Sequence, residues 1–193
     1  TLLTIGFSNQ VEIQEEILAE RIKEYSSRFD FSTLPWSKQA AFGRGSFSTL
    51  LTIEELNEPN SVKILSVGDS LAVLLDGEDF IAAFPYANSG QFQQRPELLS
   101  TKSEQNHFIS ELMFLEKHQI IWNIQDYTKP IILCMTDALG EWAMRNFEEG
   151  SPKWQQLSAI AEISSLEQLV LQERLEKRMR VDDTTLITLL FTE

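Results

Sequence analysis

Val62-Lys63-Ile64-Leu65-Ser66-Val67-Gly68-Asp69-Ser70-Leu71-Ala72-Val73-Leu74-Leu75-Asp76-Gly77-Glu78-Asp79-Phe80-Ile81-Ala82-Ala83-Phe84 is the stretch that decides the fold class. Three apolar, β-prone runs are separated by two short turn signals. Gly68-Asp69-Ser70 joins the first two runs tightly. Asp76-Gly77 is a strong hairpin signal before the third. The spacing predicts a continuous antiparallel meander.

Outward from this stretch, the turn Asn57-Glu58-Pro59-Asn60 and a strand over residues 46–54 precede it. Further upstream, residues 1–7 read as a short strand, and Ser8 or Asn9 caps the helix that follows. In that helix Ile13, Ile17, Leu18, Ile22, Tyr25 and Phe29 recur at three- and four-residue steps, one apolar face. A second, shorter helix starts near Pro35-Trp36, where proline suits the first turn. Downstream, residues 85–118 are irregular, with a helix predicted around 108–114. Strands resume at 120–124 and 131–136. A helix carrying Leu139, Trp142, Ala143 and Phe147 follows Asp137. Ser164-Ser165-Leu166-Glu167 has capping-box spacing. The helix it opens is predicted to run towards Arg180, with Leu166, Leu169, Val170 and Leu175 inward. Residues 184–191 form the last strand. The expectation is one α+β domain spanning residues 1–193, with no internal repeat.

Composition supports a globular chain: 42% hydrophobic and 23% charged over 193 residues, enough to bury a core. Acidic residues outnumber basic ones 29 to 16, a net charge of -13. Basic surfaces are what anionic membranes and nucleic acids attract, so neither is an expected partner. The single cysteine, Cys134, excludes an internal disulfide and a thiolate zinc cage. It follows Ile131-Ile132-Leu133 and reads as a buried thiol. No apolar run reaches the length of a membrane span, and no signal peptide is visible. A cytoplasmic location is expected, with some upstream sequence missing, since the chain begins at Thr1.

Two acidic strand ends carry the chemistry. Asp137 follows Ile131-Ile132-Leu133-Cys134-Met135-Thr136, and Asp182-Asp183 precede Thr184-Thr185-Leu186-Ile187. A strand end fixes a carboxylate better than a flexible loop, and two such carboxylates suit a hard divalent cation.

Three pieces, in this order, resemble the type 2C, metal-dependent Ser/Thr protein phosphatase family (PPM). Gly68-Asp69-Ser70-Leu71-Ala72 is similar to that family's Gly-Asp-Ser-Arg-Ala hairpin. Thr136-Asp137-Ala138-Leu139-Gly140-Glu141-Trp142 is similar to its Ser-Asp-Gly-Leu-Trp-Asp motif, and Asp182-Asp183-Thr184-Thr185 to its closing Asp-Asn-x-Thr strand. Gly45 to Leu50 and the segment from Phe84-Pro85 to Pro96-Glu97-Leu98-Leu99 resemble a divergent bacterial branch. The resemblance implies an α-β-β-α sandwich of two antiparallel sheets flanked by helices. It implies a binuclear manganese or magnesium centre whose metal-held water attacks a phosphoserine or phosphothreonine of a protein substrate. Carried over, Asp137 and Asp182 match metal ligands, and Asp69 matches the hairpin aspartate. Gly68, Ser70, Ala138 and Asp183 fall beside the site.

The chain also departs from that pattern. In the implied alignment Ile5 stands where the aspartate bridging both metals belongs, so the N-terminal edge of the sandwich is missing or degenerate. Ala138 replaces a glycine, Leu71 replaces an arginine, and no Asp-His flap motif lies between Pro85 and His107. Two expectations result: a metal-dependent phosphatase domain with an incomplete metal site, or an inactive pseudophosphatase that binds a phosphorylated or regulatory partner. The remaining conspicuous residues read as structural. His107 and His118 lack paired ligand spacing, and Gly43-Arg44-Gly45-Ser46 lacks a P-loop's lysine. The four tryptophans read as packing residues, and the run Glu173-Arg174-Leu175-Glu176-Lys177-Arg178 as a solvated helix face.

Overall fold

The computed structural model describes residues 15–28, 30–56 and 60–191. In chain order these form helix α1 (Glu15–Ser27), α2 (Trp36–Arg44), strands β1 (Phe47–Ser48), β2 (Leu50–Glu55), β3 (Ser61–Val67), β4 (Leu71–Asp76), β5 (Asp79–Phe84) and β6 (Leu99–Ser100). There follow α3 (Phe114–His118), β7 (Gln119–Asn123), β8 (Pro130–Met135), α4 (Asp137–Glu148), α5 (Trp154–Ser158), α6 (Ile163–Leu175) and β9 (Leu186–Leu190). The predicted strand over residues 1–7, its cap, Ile5, Ile13 and Phe29 lie outside the described residues.

Every strand pairing is antiparallel, in sheets ordered β2-β3-β7, β5-β4-β8-β9 and the short pair β1-β6. The period-2 alternation of the strands divides their side chains among three cores. Leu51, Ile53, Val62 and Ile64 from one sheet meet Ala72, Leu74, Ile132 and Cys134 from the other. On the far side of the four-stranded sheet, Leu71, Val73, Leu75, Leu133 and Met135 pack under Leu139, Trp142 and Met144 of α4 and Trp154 of α5. On the outer face of the three-stranded sheet, Leu65 and Val67 pack with Phe114 and with Leu18 of α1. The described residues thus stack helix, sheet, sheet, helix, an α+β arrangement with antiparallel sheets.

The predicted meander is corrected at one point. β3 and β4 do not pair; Gly68-Asp69-Ser70 carries the chain from one sheet to the other. Gly68 has φ +108, and a Cβ there would lie 2.5 Å from Thr49 Cγ2 and 2.8 Å from Thr49 Cβ. Ser70 Oγ donates to Thr49 Oγ1 at 3.1 Å, and Ser66 Oγ to the Ser70 carbonyl at 3.3 Å, so the crossover is tied from within. A hairpin and a crossover both require only a turn, and the local sequence does not separate them. Gly68→Ala is expected to cost about 2–3 kcal/mol, from a strained φ and the collision with Thr49. Thermal melting checks it: a fall of roughly 5–10 °C is expected for a domain of this size, partly recovered in a Thr49→Ala background.

The second predicted turn stands: β4 and β5 close through Gly77 at φ +63. A register shift between Leu74 and Leu75 leaves Ile81 as the extra residue of a bulge. It keeps Leu75 opposite Phe80 in one core while Leu74 faces Ala82 in the other. Residues 108–114 form a 3-10 turn (His107–Ser110) leading to α3 rather than a helix.

Two expectations about α6 also change. It starts at Ile163 behind Glu162, with no side-chain cap hydrogen bond, and ends at Leu175, which is 79% exposed rather than inward. Nor is the run after Gln172 wholly solvated. Glu173 is buried, accepting hydrogen bonds from Trp142 Nε1 and from the Arg178 guanidinium. Of the tryptophans, Trp122, Trp142 and Trp154 are buried, but Trp36 is 82% exposed. Cys134 is fully buried, and burial pushes its thiol pKa up to about 12.

Candidate functional site

Strand register builds the candidate site. Leu71 at the start of β4 pairs with Met135 at the end of β8, which pairs with Leu186 at the start of β9. Ala72 pairs with Phe84 at the end of β5. Four strand termini therefore share one edge of the four-stranded sheet. Asp69 stands just before β4, Tyr86 just after β5, Asp137 just after β8, and Asp182-Asp183 just before β9.

Thr136 fastens the two acidic ends to each other. Its backbone N–H donates to the Thr185 carbonyl at 3.3 Å, its hydroxyl donates to the Asp183 carbonyl at 3.0 Å, and Thr185 N–H donates to that hydroxyl at 3.0 Å. That hydroxyl does not cap α4. Asp137 is the first residue of α4, where a carboxylate meets the positive end of the helix. Its Oδ2 accepts a hydrogen bond from Arg180 Nη2, and its side chain is only 15% exposed.

Charge at this edge is incompletely balanced. Burial and the nearby Asp137 and Asp182 carboxylates raise the pKa of Asp69, against its own backbone N–H and Arg180, which lower it. Burial also raises the Tyr86 phenol, with Asp69 and Asp137 adding to the effect. Asp69, Asp137, Asp182 and Tyr86 thus share one electrostatic environment, on which Arg180 acts as a cation.

The segment between α6 and β9 is held mainly through its carbonyls. Arg174 Nε donates to the Arg180 carbonyl at 3.2 Å, and Arg174 Nη2 donates to the Asp182 carbonyl and, at 2.7 Å, to Thr184 Oγ1. Arg145 Nη2 donates to the Arg178 carbonyl. Asp182 is exposed and accepts from the Asp183 N–H at 2.8 Å. Beyond it, Leu166, Val170, Leu171 and Arg174 help line a cavity of about 450 Å³.

The structure therefore brings Asp69, Asp137 and Asp182 to one edge, with Gly68 and Ser70 shaping the crossover beside them. Ala138 is fully buried beneath the site. Asp183 contributes its carbonyl to Thr136, and its side chain is exposed. Ile5 lies outside the described residues. Sequence reasoning missed Arg180, Arg174, Thr136 and Tyr86. Arg180 stands two residues before Asp182 in an Arg-x-Asp-Asp string, whose opposed charges are a signal in the sequence.

Among the described residues no three His, Cys, Asp or Glu side chains converge into a metal-holding group. Carboxylate oxygens are the donor type that a hard divalent ion takes. Magnesium-like ions are commonly held by one or two carboxylates, with water and phosphate oxygens completing the shell. Asp137 and Asp182 would be those carboxylates, and an ion at Asp137 would displace the Arg180 guanidinium. The described residues do not supply ligands for two ions.

No protein-family model matches the chain, and no curated protein or solved structure matches it. Among the described residues no helix is long and apolar enough to cross a membrane.

Proposed function

We propose that this chain is a type 2C-like phosphatase domain, of the PPM kind, that acts on phosphoserine or phosphothreonine in proteins at the edge carrying Asp69, Asp137 and Asp182. The observation that supports this most is the convergence of Asp137 and Asp182 at paired ends of β8 and β9, tied by Thr136, within an antiparallel two-sheet stack flanked by helices. A manganese or magnesium ion held by Asp137 and Asp182 would lower the pKa of water and offset charge on the transferring phosphoryl group. The chain's own residues fix the geometry. Thr136 sets the spacing of the two acidic ends, α4 orients Asp137, and Arg174 holds the backbone beneath Asp182. Asp69, whose pKa burial and then the Asp137 carboxylate raise, stands beside them just before β4.

One observation favours a second reading. Arg180 already pairs with Asp137, and a lone guanidinium neutralises that carboxylate without supplying Lewis acidity. A chain that keeps this pair is a pseudophosphatase, binding a phosphorylated or regulatory protein partner without turnover. Steady-state hydrolysis of para-nitrophenyl phosphate and of a phosphothreonine peptide separates the two. The hydrolase reading expects turnover that rises with added manganese and is abolished by chelator. No turnover at saturating manganese supports the second reading.

A further inference from the structure

We propose that the cavity adjoining the carboxylate edge is an oxyanion subsite for a phosphorylated peptide, with Arg95 as its recognising group; this rests on the reading of the domain as one that engages phosphoproteins. The cavity measures about 290 Å³ and reaches from Gly68 and Tyr86 at the sheet edge to Arg95, Glu97, Lys117 and His118. That volume is near the lower end for ligand pockets and suits one phosphorylated side chain better than a nucleotide or a large cofactor.

Most of the cavity's charged groups are already committed to one another. Glu97 Oε2 accepts from the Lys117 ammonium and faces His118 Nε2 at 3.2 Å. His118 Nδ1 lies 2.8 Å from the Ser66 carbonyl, to which it donates, so both ring nitrogens are engaged and the imidazole is fixed. Arg95 differs. It is exposed, and it makes no hydrogen bond or ion pair with the described residues. In a chain of net charge -13, a guanidinium that lines a cavity and pairs with no carboxylate among the described residues is open to an anion.

Its planar fork presents two parallel N–H donors to two phosphoryl oxygens, a geometry that an ammonium does not match. Tyr86 borders both this cavity and the Asp69–Asp137 environment, so an anion at Arg95 sits beside the carboxylate edge. Arg95 also borders a second cavity of about 450 Å³ lined by Phe47, Leu98 and Phe108. A peptide that places its phosphoryl group on Arg95 has this apolar surface available for a neighbouring side chain.

Fluorescence anisotropy with a labelled phosphothreonine peptide and its unphosphorylated twin, divalent cations chelated, tests the subsite. The wild-type chain is expected to bind the phosphopeptide at least about tenfold more tightly, about 1.4 kcal/mol, and inorganic phosphate is expected to compete. Arg95→Ala is expected to remove the preference. Arg95→Lys is expected to keep part of it, because charge remains while the fork is lost. Because Arg95 is an exposed side chain, melting temperatures stay close to wild type. Equal affinity of the wild type for both peptides, or an undiminished preference in Arg95→Ala, overturns the subsite. A phosphate preference without manganese-supported turnover overturns the hydrolase reading and leaves the subsite standing. Turnover together with Arg95-independent binding does the reverse.

Discussion

Asp137→Asn is expected to lower manganese-supported phosphomonoester hydrolysis by at least about 100-fold, equivalent to roughly 3 kcal/mol of transition-state stabilisation. The substitution keeps the shape of the side chain and removes the charge that a divalent ion needs. Its structural cost is small. The lost pair with Arg180 involves a side chain that is 40% exposed, and such pairs contribute about 0–1 kcal/mol. The lost charge at the start of α4 contributes about 0.3–1 kcal/mol. Melting temperature should therefore fall by only a few degrees, so a dead enzyme would not be an unfolded one.

Asp69 supplies a second readout in the same variant. Its raised pKa comes first from burial and then from Asp137, so Asp137→Asn should move it down towards the ordinary carboxylate range. A carboxyl with a raised folded pKa contributes stability that is present below its unfolded pKa and lost as pH rises through the folded value. That loss should shrink in the variant. NMR titration of the Asp69 carboxyl measures it, and an unchanged Asp69 pKa would separate Asp137 from the shared environment.

Glu173→Ala is expected to be the most destabilising change near the site, at about 2–4 kcal/mol. Glu173 Oε2 accepts from Trp142 Nε1 at 2.9 Å and Arg178 Nε at 2.7 Å, while Oε1 accepts from Arg178 Nη2 at 2.7 Å. Trp142 is fully buried, so truncation leaves its N–H without a partner. Arg178, at 46% exposure, can return partly to water, which keeps the cost below the 3–5 kcal/mol typical of breaking a fully buried pair.

Glu173→Gln keeps an acceptor for Trp142 and should lose about half as much. The Arg178 hydrogen bonds chiefly hold the Glu173 carboxyl below its ordinary range, with Trp142 adding to them. Its contribution is therefore present above the unfolded pKa and lost as pH falls through the folded value. Thermal melts of wild type and Glu173→Gln should converge in acid and separate towards neutral pH. A pH-independent gap would show that the charge is not the stabilising element. Arg178 also lies on the segment that carries Arg180 and Asp182, so Glu173→Ala should loosen the candidate site as well.

Much of this fold is legible as short apolar runs. The apolar runs at 62–67, 71–75, 80–84, 120–124 and 131–136 all become strands because branched apolar side chains recur where a pleated surface buries them. What such runs do not carry is partnership. Nothing in Gly68-Asp69-Ser70 announces that β3 and β4 part into different sheets; Thr49, nineteen residues earlier in the chain, is what the turn is built against. The capping-box spacing at Ser164 fails for a similar reason, since α6 begins two residues after Ala161, before the serine can cap it.

The site divides in the same way. Asp137 and Asp182 are visible because each flanks an apolar run, and the β8–β9 register together with the Thr136 hydrogen bonds places them at one edge. Arg180 is visible beside Asp182 in the Arg-x-Asp-Asp string, but its pairing with Asp137 is not, because that depends on how the 176–185 segment folds back from α6. The charge of Glu173 predicts a solvated position, but the indole N–H of Trp142, thirty-one residues away, supplies the partner that permits its burial. In both cases the missing information is a long-range polar contact, which local periodicity does not encode.

Calorimetric titration of manganese into the wild-type chain and into Asp137→Asn tests the central claim most directly, because it reads the carboxylate edge without a substrate. The account predicts saturable binding of one ion to the wild type, with binding lost or weakened at least about tenfold in the variant. Indistinguishable titrations for the two proteins would contradict it.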